Sequence, residues 1–183
     1  MFKRFLPVSA RIGAVALVVA TAAVSALALA AVAAASPGNG AVRVPVGNEP
    51  SDLGPEYCGF PIHVGIVSDN EYIIHDTFQA DGTEILRITG KLVMSFTNED
   101  TGKSIVENVS GPGTITLPPD GSFREVAGGN GAFPFDPSDQ ASIGEPGLVF
   151  YSGHLVITYP PTGPAQSFTL SGTQTNGCAL LGP

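Results

Sequence analysis

Phe60-Pro61-Ile62-His63-Val64-Gly65-Ile66-Val67 puts Phe60, Ile62, Val64 and Ile66 on one side of an extended chain. Pro61, His63, Gly65 and Val67 fall on the other side. An alternation of two is the side-chain period of a β-strand, and it predicts a strand with one buried face. The same period recurs downstream. Tyr72 to Phe78 reads as a second strand after a turn at Asp69-Asn70, and Asp81-Gly82 supplies the positive φ that a tight hairpin needs. Glu84 to Phe96 is too long for one straight strand, and Gly90 near its middle predicts a bend or bulge. Further strands are expected at Ser104–Ser110, Thr114–Leu117, Ser122–Ala127, Leu148–Tyr159 and Gln166–Gly172. Pro118-Pro119-Asp120-Gly121 is a turn signal between two of them. Gly128–Gly131 and Phe135–Gly147 read as the longest loops.

Working toward the N-terminus, residues 36–57 carry Gly38, Gly40, Pro45, Gly47, Pro50, Gly54 and Pro55 without apolar periodicity. They are expected to form a disordered lead-in. Before them, Lys3, Arg4 and Arg11 precede an apolar run from Ile12 to Ala35 that ends in Ala33-Ala34-Ala35. This is the pattern of a secretory signal peptide over residues 1–35, with cleavage between Ala35 and Ser36. An uncleaved membrane anchor is the alternative, because the run is long enough to span a bilayer. The folded part is then residues 58–183.

All 16 acidic residues lie after residue 35, against five basic ones (Arg43, Arg87, Lys91, Lys103 and Arg124), which gives the exported part a net charge of −11. Such a surface repels phosphate backbones and anionic lipid, so nucleic acid is excluded as a partner and contact with a membrane is confined to the signal segment. The charge names no partner, and a small-molecule or cell-envelope ligand stays open. The chain has two cysteines, Cys58 and Cys178, one near each end of the strand-rich region. In an oxidising compartment such a pair forms a disulfide.

The absence of any sustained helical stripe and the order of the strands predict an all-β fold, an antiparallel meander of eight to ten strands. A bond between Cys58 and Cys178 would bring the ends of the meander together. That predicts a closed up-and-down β-barrel, with a β-sandwich as the alternative.

Three sets of residues bear a resemblance. Cys58-Gly59-Phe60-Pro61-Ile62, the turn from Thr97-Asn98 to Lys103-Ser104 with Asn108-Val109-Ser110-Gly111 after it, and the terminal Gly177-Cys178-Ala179-Leu180 resemble a group of small secreted proteins common in actinobacteria. The resemblance implies an exported domain with its end cysteines paired, and it supplies no active site.

Candidate chemistry is sparse. Gly102-Lys103-Ser104 copies the tail of a phosphate-binding loop, but Thr97 stands where that loop needs glycine and a strand follows instead of a helix. Gly128-Gly129-Asn130-Gly131 reads as a flexible turn. Asn108-Val109-Ser110 fits a glycosylation sequon. His63, His75 and His154 each fall on an expected strand, and three histidines could converge on zinc or serve acid–base chemistry. Their spacing assembles no recognisable set, and His75 and Asp76, being adjacent on a strand, point to opposite faces. Asp69, Glu71, Glu99, Asp100, Asp136 and Asp139 read as solvated turn charges. Phe133-Pro134-Phe135 is either an exposed binding lip or a buried plug, and the plug is the preferred reading.

These readings assign no catalytic residue, cofactor or metal. They point to a non-catalytic binding or envelope-associated module, with a small hydrolase or isomerase using His75, His154 or a carboxylate as one alternative. A purely structural surface protein is the other. Protein recovered from culture medium is expected to begin within two residues of Ser36. N-terminal sequencing checks this, and an intact Met1 on membrane-bound material would favour the anchor.

Overall fold

The computed structural model describes residues 43–182. The expected signal segment and its Ala35–Ser36 junction lie outside the described residues. Nine strands form one antiparallel sheet: β1 (Val44–Pro45), β2 (Ser51–Leu53), β3 (Ile62–Phe78), β4 (Glu84–Asn98), β5 (Ser104–Asn108), β6 (Gly113–Leu117), β7 (Phe123–Pro134), β8 (Leu148–Tyr159) and β9 (Ser167–Asn176). Three short helices accompany them: α1 (Pro55–Cys58), α2 (Pro137–Ile143) and α3 (Gly177–Leu181).

The hydrogen-bonded order is β1-β3-β4-β6-β7-β8-β9, with β2 also on β3 and β5 also on β4. The hairpin of β3 and β4 is the spine. β2 pairs with Ile62–Val64 at one end of β3 and β1 with Tyr72 and Ile73 further along. On the other side, β6 takes the Glu84–Ile88 half of β4 and β5 the Val93–Thr97 half.

The all-β expectation holds, whereas closure by strand pairing does not. The order ends at β9, which has only β8 as a partner. The ends of the sheet are joined by other means. Cys58 at the end of α1 is bonded to Cys178 in α3, with the two Cα atoms 5.1 Å apart. Around this bond Leu53, Ile62, Val64, Leu92, Met94 and Phe96 from the first strands pack with Leu148, Phe150 and Leu181. Phe96 meets Phe150 edge to face at 4.9 Å. Asn98, 1 % exposed, donates from Nδ2 to the Leu181 carbonyl, and Lys103 Nζ donates to the Gly182 carbonyl at 2.8 Å. The lysine of the phosphate-loop lookalike therefore holds the C-terminal end.

β8 is buried on both faces over Leu148–Tyr151. Leu148 and Phe150 serve the cluster just described, and Val149 and Tyr151 serve a second with Phe133, Phe135, Leu155 and Ile157. A strand that buries both faces fits a sheet folded back on itself.

Four readings of the sequence are corrected. β3 is one continuous strand, and Asp69-Asn70 is no turn: the two residues pair with Leu92 and Lys91. The extra length is absorbed by register shifts at Ile66/Ser68 and Ile73/His75. Gly128–Gly131 lies inside β7 and pairs with Tyr151–His154 of β8. Its glycines are part of a bend, for Gly129, Gly153 and Gly172 stand side by side on β7, β8 and β9 with φ of +87°, +141° and +155°. A Cβ on Gly153 would stand 2.2 Å from the Ser171 carbonyl oxygen, so the row lets adjacent backbones approach as only glycine permits.

Third, the expected loop over 135–147 holds α2. Asp136 caps it by accepting from the amides of Ser138 and Asp139. Fourth, the described part of the expected lead-in, residues 43–57, is ordered against β3. Val46 N donates to the Glu71 carbonyl, and Asn48 binds the carboxylates of Asp69 and Glu71. Proline and glycine made this stretch look unstructured, but it adds short edge strands whose partners lie far along the chain.

The cross-link closes a sequence separation of 120 residues, for which chain entropy gives about 4–5 kcal/mol at most. Cys58→Ser and Cys178→Ser are each expected to lower the unfolding free energy by a few kcal/mol, and by similar amounts, in denaturant titrations. A loss under about 0.5 kcal/mol from either would contradict the role given to the bond.

Candidate functional site

Ile62 and Val64 point inward from β3 at even positions, and Glu71 and Ile73 do so at odd ones. The register shift at Ile66/Ser68 causes the change, because one extra residue exchanges the two faces of a strand. It is what turns Glu71 into the protein, 6 % exposed. Opposite Glu71 stands Gly90, with φ of +143°, and a Cβ there would lie 2.7 Å from Glu71 Cα. The bend expected at Gly90 thus serves a close approach of β3 over β4.

Glu125 reaches the interior from β7. It pairs with Ile115 of β6 on one side and Ile157 of β8 on the other, both fully buried. Directly opposed residues share a face, so the Glu125 carboxyl is flanked by apolar neighbours. It is 6 % exposed, and its Oε2 has no hydrogen-bond partner among the described residues.

Both glutamates line a partly open cavity of about 50 Å³. Tyr151 and Asn130 are the other polar residues of the lining, and Tyr151 is the larger. Its ring lies over Gly131, its partner on β7, where a Cβ would stand 2.4 Å from the phenol oxygen. Ile88, Leu92, Met94, Ile115 and Phe133 form the apolar wall. The space exists because Gly111, Gly113, Gly128, Gly131, Ala127 and Ala132 line it where larger side chains would fill it.

Electrostatics follow from this placement. Desolvation pushes the Glu125 carboxyl up to about 7, and the neighbouring Glu71 charge adds to the rise. Desolvation also raises Glu71, opposed by the hydrogen bond from Asn48 and reinforced by Asp69. The Tyr151 phenol is raised by burial, then by Glu125 and Glu71. At neutral pH the cavity therefore holds a phenol donor and a pair of acids that resists double ionisation. It can bind a guest by hydrogen bonds or charge, and it can exchange a proton with one.

None of the three histidines joins it. His63 is exposed and its Nδ1 lies 2.7 Å from Asp52 Oδ1. His75 and His154 are exposed on β3 and β8. Those two strands are separated in the sheet order by β4, β6 and β7, or about 19 Å along the sheet. Among the described residues no group of three or more His, Cys, Asp or Glu could hold a metal ion. Phe133 and Phe135 are buried and stack at 5.1 Å, so they form no exposed lip, and Phe133 reaches the cavity wall.

Two of the acids read as solvated turn charges are buried instead. One is Glu71. The other is Asp139, which accepts from the Ala165 amide and the Tyr159 hydroxyl and so fastens α2 to the β8–β9 turn. Glu125 drew no notice in the sequence, although its odd position is shared with Phe123 and Ala127. That charge on an apolar face was the available signal.

The chain matches no protein-family model, no curated protein and no solved structure. The reading of the cavity therefore rests on its own geometry.

A carboxyl whose affinity for protons is higher folded than unfolded stabilises the fold at low pH and loses that contribution as pH rises. For Glu125 the loss runs from its ordinary value of 4.5 to about 7 and amounts to ~3 kcal/mol. Glu125→Gln is expected to be more stable than the parent at pH 8, by roughly 2–3 kcal/mol, with the advantage gone at pH 4. Paired denaturant titrations at the two pH values check this, and equal differences at both would contradict it.

Proposed function

We propose that this protein is an exported, non-catalytic binding module whose ligand site is the Glu71–Glu125–Tyr151 cavity. The observation that carries the reading is the Glu125 carboxyl oxygen, buried at the cavity wall with no partner among the described residues. An unpaired buried acceptor costs stability, about 1–3 kcal/mol, that a guest donor would restore. The mix of apolar wall and few polar groups is the usual make-up of a small-ligand site.

The disulfide is consistent with an extracytoplasmic location, and the signal pattern of residues 1–35 supports export. Kinship with the actinobacterial secreted proteins is part of the same proposal, resting on the motifs around Cys58, Lys103 and Cys178. For the architecture we favour an open barrel whose seam is filled by α3 and the disulfide. The support is the packing of Leu181 among residues of β3, β4 and β8.

A second reading draws on the same acids. A carboxyl at about 7 beside a buried phenol suits proton transfer, as a small hydrolase or isomerase would need.

A fragment screen followed by NMR on the disulfide-intact protein tests the binding reading. Hits are expected to shift the methyl signals of Met94, Ala127 and Ala132, and Ala127→Val, which fills part of the space, should weaken them at least tenfold. Hits that leave these methyls unmoved would overturn the site. Chemical conversion of a bound hit would favour the enzyme instead.

A further inference from the structure

We propose that the cavity receives a primary ammonium group on a short apolar stem, with the ammonium held between Glu71 and Glu125 and the stem against the wall of β4 and β6. This rests on the binding reading above and names its ligand class.

The first argument is charge. β3 contributes Glu71, β7 contributes Glu125 and β8 contributes the Tyr151 phenol, while the β4 and β6 side chains at the site, Ile88, Leu92, Met94 and Ile115, carry no charge. Among the described residues no Lys, Arg or His lines the space. Asp69 adds a further acid behind Glu71, through their shared partner Asn48. Two desolvated carboxyls with no base are compensated by a cationic guest, which lets both ionise. The acidic surface of the domain would concentrate cations at the entrance.

The second argument is size and shape. A water needs roughly 10–15 Å³ of such space, so about 50 Å³ admits three to five water-sized groups. An ammonium with two to four carbons fills it. A guanidinium is a broad plane with five donors, whereas an ammonium is compact with three, a match for two carboxyls and a phenol oxygen. The unpartnered Oε2 of Glu125 is the acceptor that the ammonium would satisfy.

Binding is then linked to protons. The empty pair retains a proton that the cation displaces, so uptake of the ammonium releases close to one proton at pH 6 and tightens as pH rises toward 8.

The experiment is titration of the disulfide-intact protein with n-butylammonium and with n-butanol, its neutral counterpart, followed by NMR and calorimetry in buffers of different ionisation enthalpy. Butylammonium is expected to bind at least tenfold tighter than butanol at pH 7.5, shifting the Met94 and Ala127 methyls. Glu125→Gln, with its fold verified by near-ultraviolet circular dichroism, is expected to lose at least tenfold for the ammonium while keeping butanol binding. Equal binding of the two probes, or unchanged ammonium binding by the variant, overturns the ammonium proposal and leaves the cavity reading intact. Failure of both probes to shift the cavity methyls overturns both. Nα-acetyl-lysine methylamide forms a last arm. Binding comparable to butylammonium assigns the stem to a polypeptide lysine, and much weaker binding assigns it to a free alkylamine.

Discussion

Among the described residues no strand pairing joins β9, at one end of the sheet order, to β1 or β2 at the other. The bond between Cys58 and Cys178 makes the join, and the rest of the architecture depends on it. It brings α1, just before β3, against α3, just after β9, so strands from the two ends of the sheet order share one apolar cluster with α3. Asn98 and Lys103 fix the same corner through the Leu181 and Gly182 carbonyls. A disulfide of this kind persists in an oxidising compartment, which is consistent with an extracytoplasmic location.

Enclosure alone does not make a cavity, because side chains normally fill an interior to crystal-like density. Here glycine and alanine line part of the wall, and two carboxyls face the gap they leave. One carboxyl arrives by a bulge in β3 that exchanges its faces, the other by an ordinary inward position on β7 flanked by isoleucines. Burial raises both, the Glu71 charge raises Glu125 further, and Asp69 adds to the rise of Glu71. A protein selected for stability alone has no use for a lone buried acceptor, which is why the functional reading starts from Glu125.

The fold class was legible in the sequence because strand periodicity and turn chemistry are local. The hairpin at Asp81-Gly82 and the turn at Pro118–Gly121 separate strands as expected, and the cysteines pair. What escaped was non-local. The bulge after Ile66 preserves a strand through Asp69-Asn70, residues that read as a turn because nothing in their neighbourhood reveals the partner β4. The glycines of 128–131 look like a flexible loop until Gly153 and Gly172 are seen beside Gly129. The site was hidden for the same reason. Glu71 becomes an inward residue only once the bulge is known, and Asn48 becomes its partner only once the arm before β3 is seen to be ordered. The histidines drew the chemical reading by their type, yet their strands set them apart and on the surface.

Everything proposed for the site depends on Glu125 being a buried carboxyl that faces a cavity. The most direct measurement is its titration, followed by carbon-13 NMR of the side-chain carboxyl and assigned by its loss in Glu125→Gln. The account predicts a midpoint near 7, coupled to a second transition from Glu71. A single midpoint near the ordinary 4.5, independent of Glu71, would place the carboxyl in water and contradict it.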